Sequence, residues 1–393
     1  MTIDEKEEQL PDESGAQRVS FVELLFDVVF VFALTRLSRH LIEELTWHGA
    51  VQTLIQLLAV SWIWFLTVWL TNRYNANRGL VQLLVIGTML GSLFLAAAIP
   101  AGFRERGSVF VAAYLIIQIG RPTVLALFLR GPINRRNVLN IYAWLALSIG
   151  PWIAGAFFPP PTRTLLWALA IALDIMATRL DYPTPWLRRA NILETNIGGE
   201  HLTERYRQFT IVAFGETILS AGFRFSDHDF DGDHALAFVV AFTGTVLLWR
   251  IYFYRAGELL HEAIMLSATP LRTGRTAAYA HVIMIGGIVV TSVGDEIIVR
   301  YPFGPVETPW IVVLIGGAAL FLVGRALLDF TTFSRVSWSR VIGLLVLAVM
   351  APAMPQLPPV LVASAVTLVL AGVAVSNAIS WRLFPVHPKA PVL

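Results

Sequence analysis

The sequence lacks cysteine and contains few charged residues for its length. None of the 393 residues is Cys, which excludes disulfides, thiolate metal sites and thiol catalysis. Charged residues make up 14% of the chain, against roughly 25% in an average soluble domain. Lysine is almost missing: of 29 Lys and Arg residues, only Lys6 and Lys389 are lysine. This composition is therefore not typical of a water-soluble protein.

The sequence signatures of common enzyme classes are missing as well. It contains no Walker A loop, no glycine-rich dinucleotide turn, no HExxH and no GxSxG. Clustered base-reading motifs are also absent, so we expect no nucleic-acid partner. We predict that the protein is not an enzyme and has no catalytic residues, no cofactor and no metal centre.

Apolar residues, in contrast, form long runs. Hydrophobic residues make up 56% of the chain, and the mean hydropathy is +0.66, more apolar surface than a soluble core of this length can bury. The sequence predicts an all-α, polytopic transmembrane bundle of about twelve helices, because a span needs about 20 apolar residues. Eleven or thirteen spans stay open, since the eleventh window is short and contains Pro352. The windows lie near 20–41, 50–71, 80–100, 108–129, 138–158, 164–181, 203–223, 235–254, 277–299, 309–330, 340–355 and 358–381.

Arginine is distributed unevenly between alternate loops. The loops after windows 2, 4, 6, 8 and 10 hold fifteen Arg, and the opposite loops hold five. The positive-inside rule then places both termini in the cytoplasm of a bacterial cell, with the protein in the inner membrane. The isoelectric point of about 9.0 indicates contact of these loops with anionic lipid headgroups at the cytoplasmic face.

The second half of the chain repeats features of the first. Three matched features occur in the same order, which favours two parallel six-helix repeats, as in several transporters. They are Gly120-Arg121 and Gly324-Arg325, Gly150-Pro151 and Ala351-Pro352, and a basic residue nine positions before a carboxylate at Arg18/Asp27 and Arg207/Glu216. The predicted organisation is a disordered acidic tail 1–17, a first repeat 18–181, a cytoplasmic linker 182–204, a second repeat 205–381 and a tail 382–393.

Several charged residues fall inside the predicted spans, where a charge needs a partner, water or neutralisation. Glu23 and Asp27 share one helical face, and Arg325 and Asp329 are spaced so that they can pair with each other. For each residue the alternative is a structural role, either at the membrane interface or in a buried ion pair. The candidates for an ion or substrate pathway are Glu23, Asp27, Arg121, Glu216, His281, Arg325 and Asp329.

The sharpest hypothesis concerns the deepest of these residues. We hypothesise that one of the carboxylates Asp27 and Glu216, with Glu216 favoured, binds a coupling ion in a cavity between the halves, and that Arg121 balances its charge. Asp174, Asp295 and Glu296 lie near predicted helix ends and are expected to reach headgroup water. A buried structural ion pair is the alternative for Glu216 and Arg121.

Two further groups of residues have ordinary explanations. The acidic segment 226–234 matches only the first half of an EF-hand loop, since Phe238 stands where the twelfth-position Glu belongs. It predicts a solvated hairpin with no specific calcium site. Tryptophans near helix ends, Trp152 among them, are expected to anchor the membrane interface.

The segment 20–33, Ser-Phe-Val-Glu-Leu-Leu-Phe-Asp-Val-Val-Phe-Val-Phe-Ala, resembles the bacterial low temperature requirement A family. Glu204-Arg205, Gly215-Glu216-Thr217, and Ala280-His281 followed by Gly286-Gly287 look like later motifs of that family, so the resemblance covers most of 18–380. It implies a multi-pass membrane protein and supplies no substrate or binding residues. Residues 26–35 are also similar to the first helix of the endolysosomal and bacterial potassium channel family, without the Ser of its Phe-Ser-Asp motif.

Together these patterns predict a transporter or permease for a small solute or ion. The alternatives are a cation channel with duplicated six-helix repeats, a membrane-embedded enzyme, or an envelope factor for growth in the cold.

Overall fold

The computed structural model describes residues 19–128, 132–184, 198–227, 230–254 and 256–383. The described chain is built of α-helices joined by short connections, which confirms the predicted all-α helical bundle. These residues divide into two compact units. One lies within Met1–His40 and Trp47–Gly198, and the other within Leu41–Thr46 and Gly199–Leu393.

The first unit contains six described helices: α1 Phe21–Glu43, α2 Trp47–Arg73, α3 Gly79–Ala98, α4 Gly107–Phe128, α5 Pro132–Phe157 and α6 Thr162–Arg179. A 3-10 turn, Ile99–Ala101, continues α3. Helix α2 is the most buried of the six and packs against α3, α4 and α6. The pairs α3–α4, α4–α5 and α5–α6 also pack together.

The second unit contains seven described helices: α7 Gly199–Ser226, α8 Gly232–Phe253, α9 Ala256–Leu266, α10 Pro270–Arg300, α11 Thr308–Phe333, α12 Trp338–Met350 and α13 Pro359–Leu383. The unit is built around the long helix α10, which is mostly buried and contacts α7, α8, α11 and α13. Helix α10 has 31 residues; at about 1.5 Å per residue it is longer than a hydrocarbon core about 30 Å thick requires.

Each of the twelve apolar windows falls on a helix. Nine of the described helices are long and apolar enough to cross a membrane. The short eleventh window is one of them, because the 3-10 turn Ala351–Gln356 extends α12. The remaining windows correspond to α1, α6 and α7, which carry three or more charged residues each. None of the predicted windows includes α9, which has only eleven residues and cannot span a bilayer.

Several helices expose apolar side chains in stripes along one face. On α3, the side chains of Leu83, Ile86, Leu90 and Phe94 follow each other at helical spacing and are exposed. On α12, Val349 is 79% exposed. A water-soluble surface does not normally carry stripes of this kind, so they support a multi-pass membrane protein.

Glycines allow α10 to pack closely against α11. Gly287 lies on α10, and Gly317 and Gly324 lie seven residues apart on α11. A Cβ atom on Gly287 would lie 2.5 Å from the backbone nitrogen of Phe321, and one on Gly324 would lie 2.8 Å from the carbonyl oxygen of Ala280. Gly317 meets Thr291 in the same way. Small residues let the two backbones approach, which is how helices associate where lipid removes the hydrophobic driving force.

The predicted repeat boundaries can be compared with the structure only in part. The tail 1–17 and most of the linker 182–204 lie outside the described residues, and α7 begins at Gly199, inside that linker. Within its own unit, Arg121 contacts the second helix through Thr67. Arg325 likewise contacts the second helix of its unit through the carbonyl of Ile251. These contacts fit a duplication, but equivalence of the two halves stays a prediction.

Candidate functional site

Asp27 is buried in the first unit with a partner on the next helix. The indole Nε1 of Trp64 on α2 donates to its Oδ1 at 2.8 Å. The exposed fractions of Asp27 and Trp64 are 3% and 0%. Trp64 is thus a hydrogen-bonding group of the polar interior.

Glu23, one turn earlier on α1, acts at the helix terminus. Its Oε2 accepts hydrogen bonds from the backbone N–H and the hydroxyl of Ser20, both at 2.9 Å. Ser20 directly precedes α1, so the Glu23 carboxylate caps the start of the helix as the glutamate of a capping box does. Glu23 and Asp27 share a helical face, as their spacing predicted, and the hydrogen bonds from Ser20 and Trp64 reach them separately.

Arg121 and Asp174 are connected through two neutral side chains on α4. The Arg121 guanidinium donates to the Oε1 of Gln118, whose Nε2 donates to the Tyr114 hydroxyl at 3.2 Å. The Tyr114 hydroxyl donates to the Oδ2 of Asp174 on α6 at 2.8 Å. At its other end, Arg121 reaches the Thr67 hydroxyl on α2 at 3.4 Å. We call Arg121, Gln118, Tyr114 and Asp174 the Arg121–Asp174 array.

Asp174 lies near a predicted helix end, from which it could reach headgroup water, but the structure buries its side chain. Its exposed fraction is 7%, and the Trp152 indole donates to the same carboxylate at 3.1 Å. The sequence contained a signal for this array: Tyr114, Gln118 and Arg121 are spaced four and three residues apart, which places them on one face of α4. A polar face on an otherwise apolar span predicts a buried partner.

Trp152 was expected to be an interface anchor, and the structure shows a core residue. It is fully buried, with its ring 4.6 Å from that of Tyr114 and 5.7 Å from that of Trp167. The Trp167 indole donates to the Trp152 carbonyl at 3.1 Å. These rings surround the Asp174 end of the array with low-dielectric material, which strengthens every electrostatic interaction there.

In the second unit, Glu216 lies at the start of a ladder of polar contacts between α7 and α10. The Ser292 hydroxyl donates to Glu216 Oε1 at 3.3 Å. One turn further, the Ser220 hydroxyl reaches Glu296 at 3.4 Å, and Arg224 forms an ion pair with the same carboxylate. Glu216 is 0% exposed and Glu296 is 7% exposed, so the expectation that Glu296 reaches headgroup water is wrong.

His281 is saturated by hydrogen bonds. Its Nδ1 lies 2.6 Å from the Ala277 carbonyl and its Nε2 lies 2.9 Å from the Tyr252 hydroxyl. The ring also packs against Tyr206 with centroids 4.8 Å apart. A histidine with both nitrogens engaged is a structural connector between α8 and α10, and its place in a pathway stays a prediction.

Arg325 and Asp329 pair with each other, as their spacing predicted. Arg325 also donates to the carbonyls of Ile251 and Tyr254, at 3.0 and 3.3 Å, where α8 ends. Asp329 additionally lies 3.2 Å from Arg340 of α12. The cluster therefore joins three helices, which favours the structural reading of this pair.

Asp295 was expected near headgroup water, but it lines a cavity between α8, α10, α11 and α13. Its exposed fraction is 7%, and its Oδ2 has no hydrogen-bond partner among the described residues. The cavity measures about 30 Å³ and also borders Thr291 and Thr367. Asp295 lies five residues before the end of α10. This position in the sequence suggested an interfacial site and gave no indication that the side chain is buried.

The acidic segment before α8 is used for helix capping as far as it is described. Asp231 accepts a hydrogen bond from the backbone N–H of His234 at 2.9 Å. This bond and the nearby imidazole hold the pKa of the Asp231 carboxyl below its usual value. Residues 228 and 229 lie outside the described residues. Within the described parts of the chain, His, Asp and Glu form no cluster of three that could hold a metal ion.

Long apolar helices, lipid-facing stripes and charged groups buried inside helical units define a multi-pass α-helical membrane protein. The chain belongs to the bacterial low temperature requirement A protein family, whose sequence model matches residues 18–375. The match covers nearly the whole chain, so both units belong to the family domain.

One relative is an uncharacterised protein of Rhizobium meliloti (strain 1021). It is 31% identical over 332 residues, which cover 83% of this chain and 81% of the relative. No solved structure matches the chain.

Proposed function

We propose that this protein is a transporter of a small solute or ion that exchanges protons at Asp174, the carboxylate of the Arg121–Asp174 array. The observation that carries the proposal is the separation of the two charged groups. A structural ion pair in a membrane interior brings guanidinium and carboxylate into contact, because contact lowers the cost of burying both charges. Here Tyr114 and Gln118 stand between them, and the described partners of Asp174 are neutral.

Each member of the array has a distinct role in the proposal. Asp174 binds and releases the proton, and its charge changes with each exchange. The Tyr114 hydroxyl donates a hydrogen bond to Asp174 and accepts one from Gln118, so it orients the carboxylate. Gln118 cannot pass a proton on, and in the proposal it holds Arg121 apart from Asp174.

The proposed location is the bacterial cytoplasmic membrane, with both termini in the cytoplasm and the arginine-rich loops on anionic headgroups. The arginine asymmetry supports this orientation. A reporter active only outside the cytoplasmic membrane should give no signal when fused after Leu393 and a strong signal when inserted at Gly232. The reverse pattern would overturn the orientation.

Proton flux in vesicles of phosphatidylethanolamine and phosphatidylglycerol tests the proposal. Full-length protein is reconstituted with a pH-sensitive dye inside, and a potassium diffusion potential drives proton entry. We expect the wild type to acidify the vesicles and Asp174→Asn to slow acidification by about tenfold or more, because the variant loses the group that carries the proton. Thermal unfolding verifies that the variant is folded.

Asp233→Asn is the matched control, because Asp233 is exposed beside the start of α8. It should acidify the vesicles at the wild-type rate. Equal rates for wild type and Asp174→Asn would contradict the proposed role of the array. Sustained potassium current without proton movement would favour the cation-channel alternative.

A further inference from the structure

We propose that Asp295 and its cavity form a proton-binding site in the second unit. The cavity lies between four helices of this unit and is separate from the Arg121–Asp174 array, which belongs to the first. Its volume of about 30 Å³ gives room for one or two water molecules, and a carboxyl group on its wall supplies a polar partner for them.

Small residues create the cavity. Gly244 of α8, Gly294 of α10, Ala318 of α11 and Ala363 of α13 all border it. A Cβ atom on Gly244 would lie 3.5 Å from the Thr367 hydroxyl, in ordinary contact. Each of the four helices therefore contributes a Gly or Ala to the lining, which leaves a space beside Asp295.

The Asp295 carboxyl differs from the other buried carboxyls in the described parts of both units. Asp174, Glu216, Glu296 and Asp329 each accept a hydrogen bond or pair with an arginine. Asp295 Oδ2 is buried without a hydrogen-bond donor among the described residues, and no described salt bridge includes Asp295. Arg224, on the facing helix α7, is paired with Glu296.

The surroundings leave an ionised Asp295 without charge compensation. Among the described residues that line the cavity, Asp295 alone is titratable, and the described part of α13 before residue 381 contains no titratable residue. The titratable groups toward this end of the other packed helices are Glu216 and Arg224 on α7, Asp233 and His234 at the start of α8, Glu296 and Arg300 on α10, and Glu307 before α11.

A bound cation must therefore neutralise the carboxylate, and the oxygen count favours the proton. Besides Asp295, the lining side chains that offer oxygen are the hydroxyls of Thr291 and Thr367. A divalent cation such as Ca²⁺ takes six or more oxygen ligands. A proton needs none beyond the carboxylate itself: the carboxylate binds it as a neutral carboxylic acid and gives it up when the cavity fills with water.

Infrared spectroscopy of the full-length protein in lipid nanodiscs detects the proton on the Asp295 carboxyl directly. At neutral pH the wild type should show the C=O stretch of a protonated, buried carboxylic acid. Asp295→Asn should lose that band, and Asp295→Glu should keep it at a shifted frequency. The exposed Asp233→Asn is the control and should match the wild type. Because the readout is binding rather than transport, it is independent of the proposed function.

The outcomes separate the possibilities. Unchanged spectra in both Asp295→Asn and Asp295→Glu would overturn the site, and the glutamate variant keeps the test valid if the asparagine variant fails to fold. The second arm adds Na⁺, K⁺ or Li⁺ to the wild type and follows its thermal midpoint. If one of these ions raises the midpoint of the wild type but not of Asp295→Asn, the occupant is a metal cation and the proton assignment is wrong.

Discussion

Two buried arginines, Arg163 and Arg325, bind backbone carbonyls at helix ends. Arg163, near the start of α6, donates to carbonyl oxygens at the end of α5 and after the 3-10 turn of α3. Five carbonyls accept from this one side chain, at 2.7 to 3.3 Å: those of Gly102, Arg104, Gly155, Ala156 and Phe158. A helix leaves its last carbonyls without partners, and a guanidinium is well placed to satisfy several at once.

Replacing Arg163 should therefore destabilise the first unit. Arg163→Met keeps much of the apolar stem and removes all five hydrogen bonds. A hydrogen bond to a charged group contributes about 1.5–3 kcal/mol, so we expect a loss of about 2 kcal/mol or more, seen as a lower thermal midpoint in detergent. Arg104→Met is the matched control, because that side chain is exposed and its carbonyl is retained. Equal midpoints for the two variants would show that the carbonyl contacts contribute little.

At the scale of helices, the tightest packing is set by individual glycines. Gly316 and Gly317 are neighbours on α11, but a Cβ atom on Gly317 would lie 2.5 Å from the Thr291 hydroxyl and 2.7 Å from its backbone nitrogen. A Cβ atom on Gly316 would have no packing neighbour within 4 Å. The two positions therefore provide a matched pair that separates packing from helix propensity.

Gly317→Ala should destabilise the second unit by about 1–3 kcal/mol, the usual cost of an added methyl group in a filled interior. Gly316→Ala should be neutral or stabilise by up to about 1 kcal/mol, because alanine favours the helix over glycine. Thermal unfolding of both variants in the same detergent measures the difference. If Gly316→Ala were the more damaging variant, the close approach of α10 and α11 would not depend on Gly317.

The helices themselves were largely predictable from the sequence, because each apolar window had to span lipid. The exception was α9, whose eleven residues fall below any span length. The sequence also predicted the contacts that act within one helix, such as Arg325 with Asp329, since their spacing fixes them. Contacts between helices, such as Trp64 with Asp27, depend on helix rotation and neighbours, which a single sequence does not determine.

At the scale of the whole molecule, composition predicted the class of protein and burial determined the candidate sites. The low fraction of charged residues required a membrane, so the charges that remain inside the units became the candidates. Asp174 and Asp295 were assigned to the interface from their distance to helix ends. The structure buries both, because neighbouring helices cover them with aromatic rings in one unit and with small apolar residues in the other.

The measurement that tests the proposed proton exchange at Asp174 most directly is charge displacement on a solid-supported membrane after a pH jump. Tyr114→Phe removes only the hydroxyl that joins Asp174 to Gln118 and keeps the buried ring. Wild-type protein should displace charge as Asp174 exchanges its proton, and Tyr114→Phe should change the rate by about tenfold or more, because Asp174 loses its positioned hydrogen-bond donor. A Tyr114→Phe variant that displaces the same charge at the same rate as wild type would contradict the proposed role of the array.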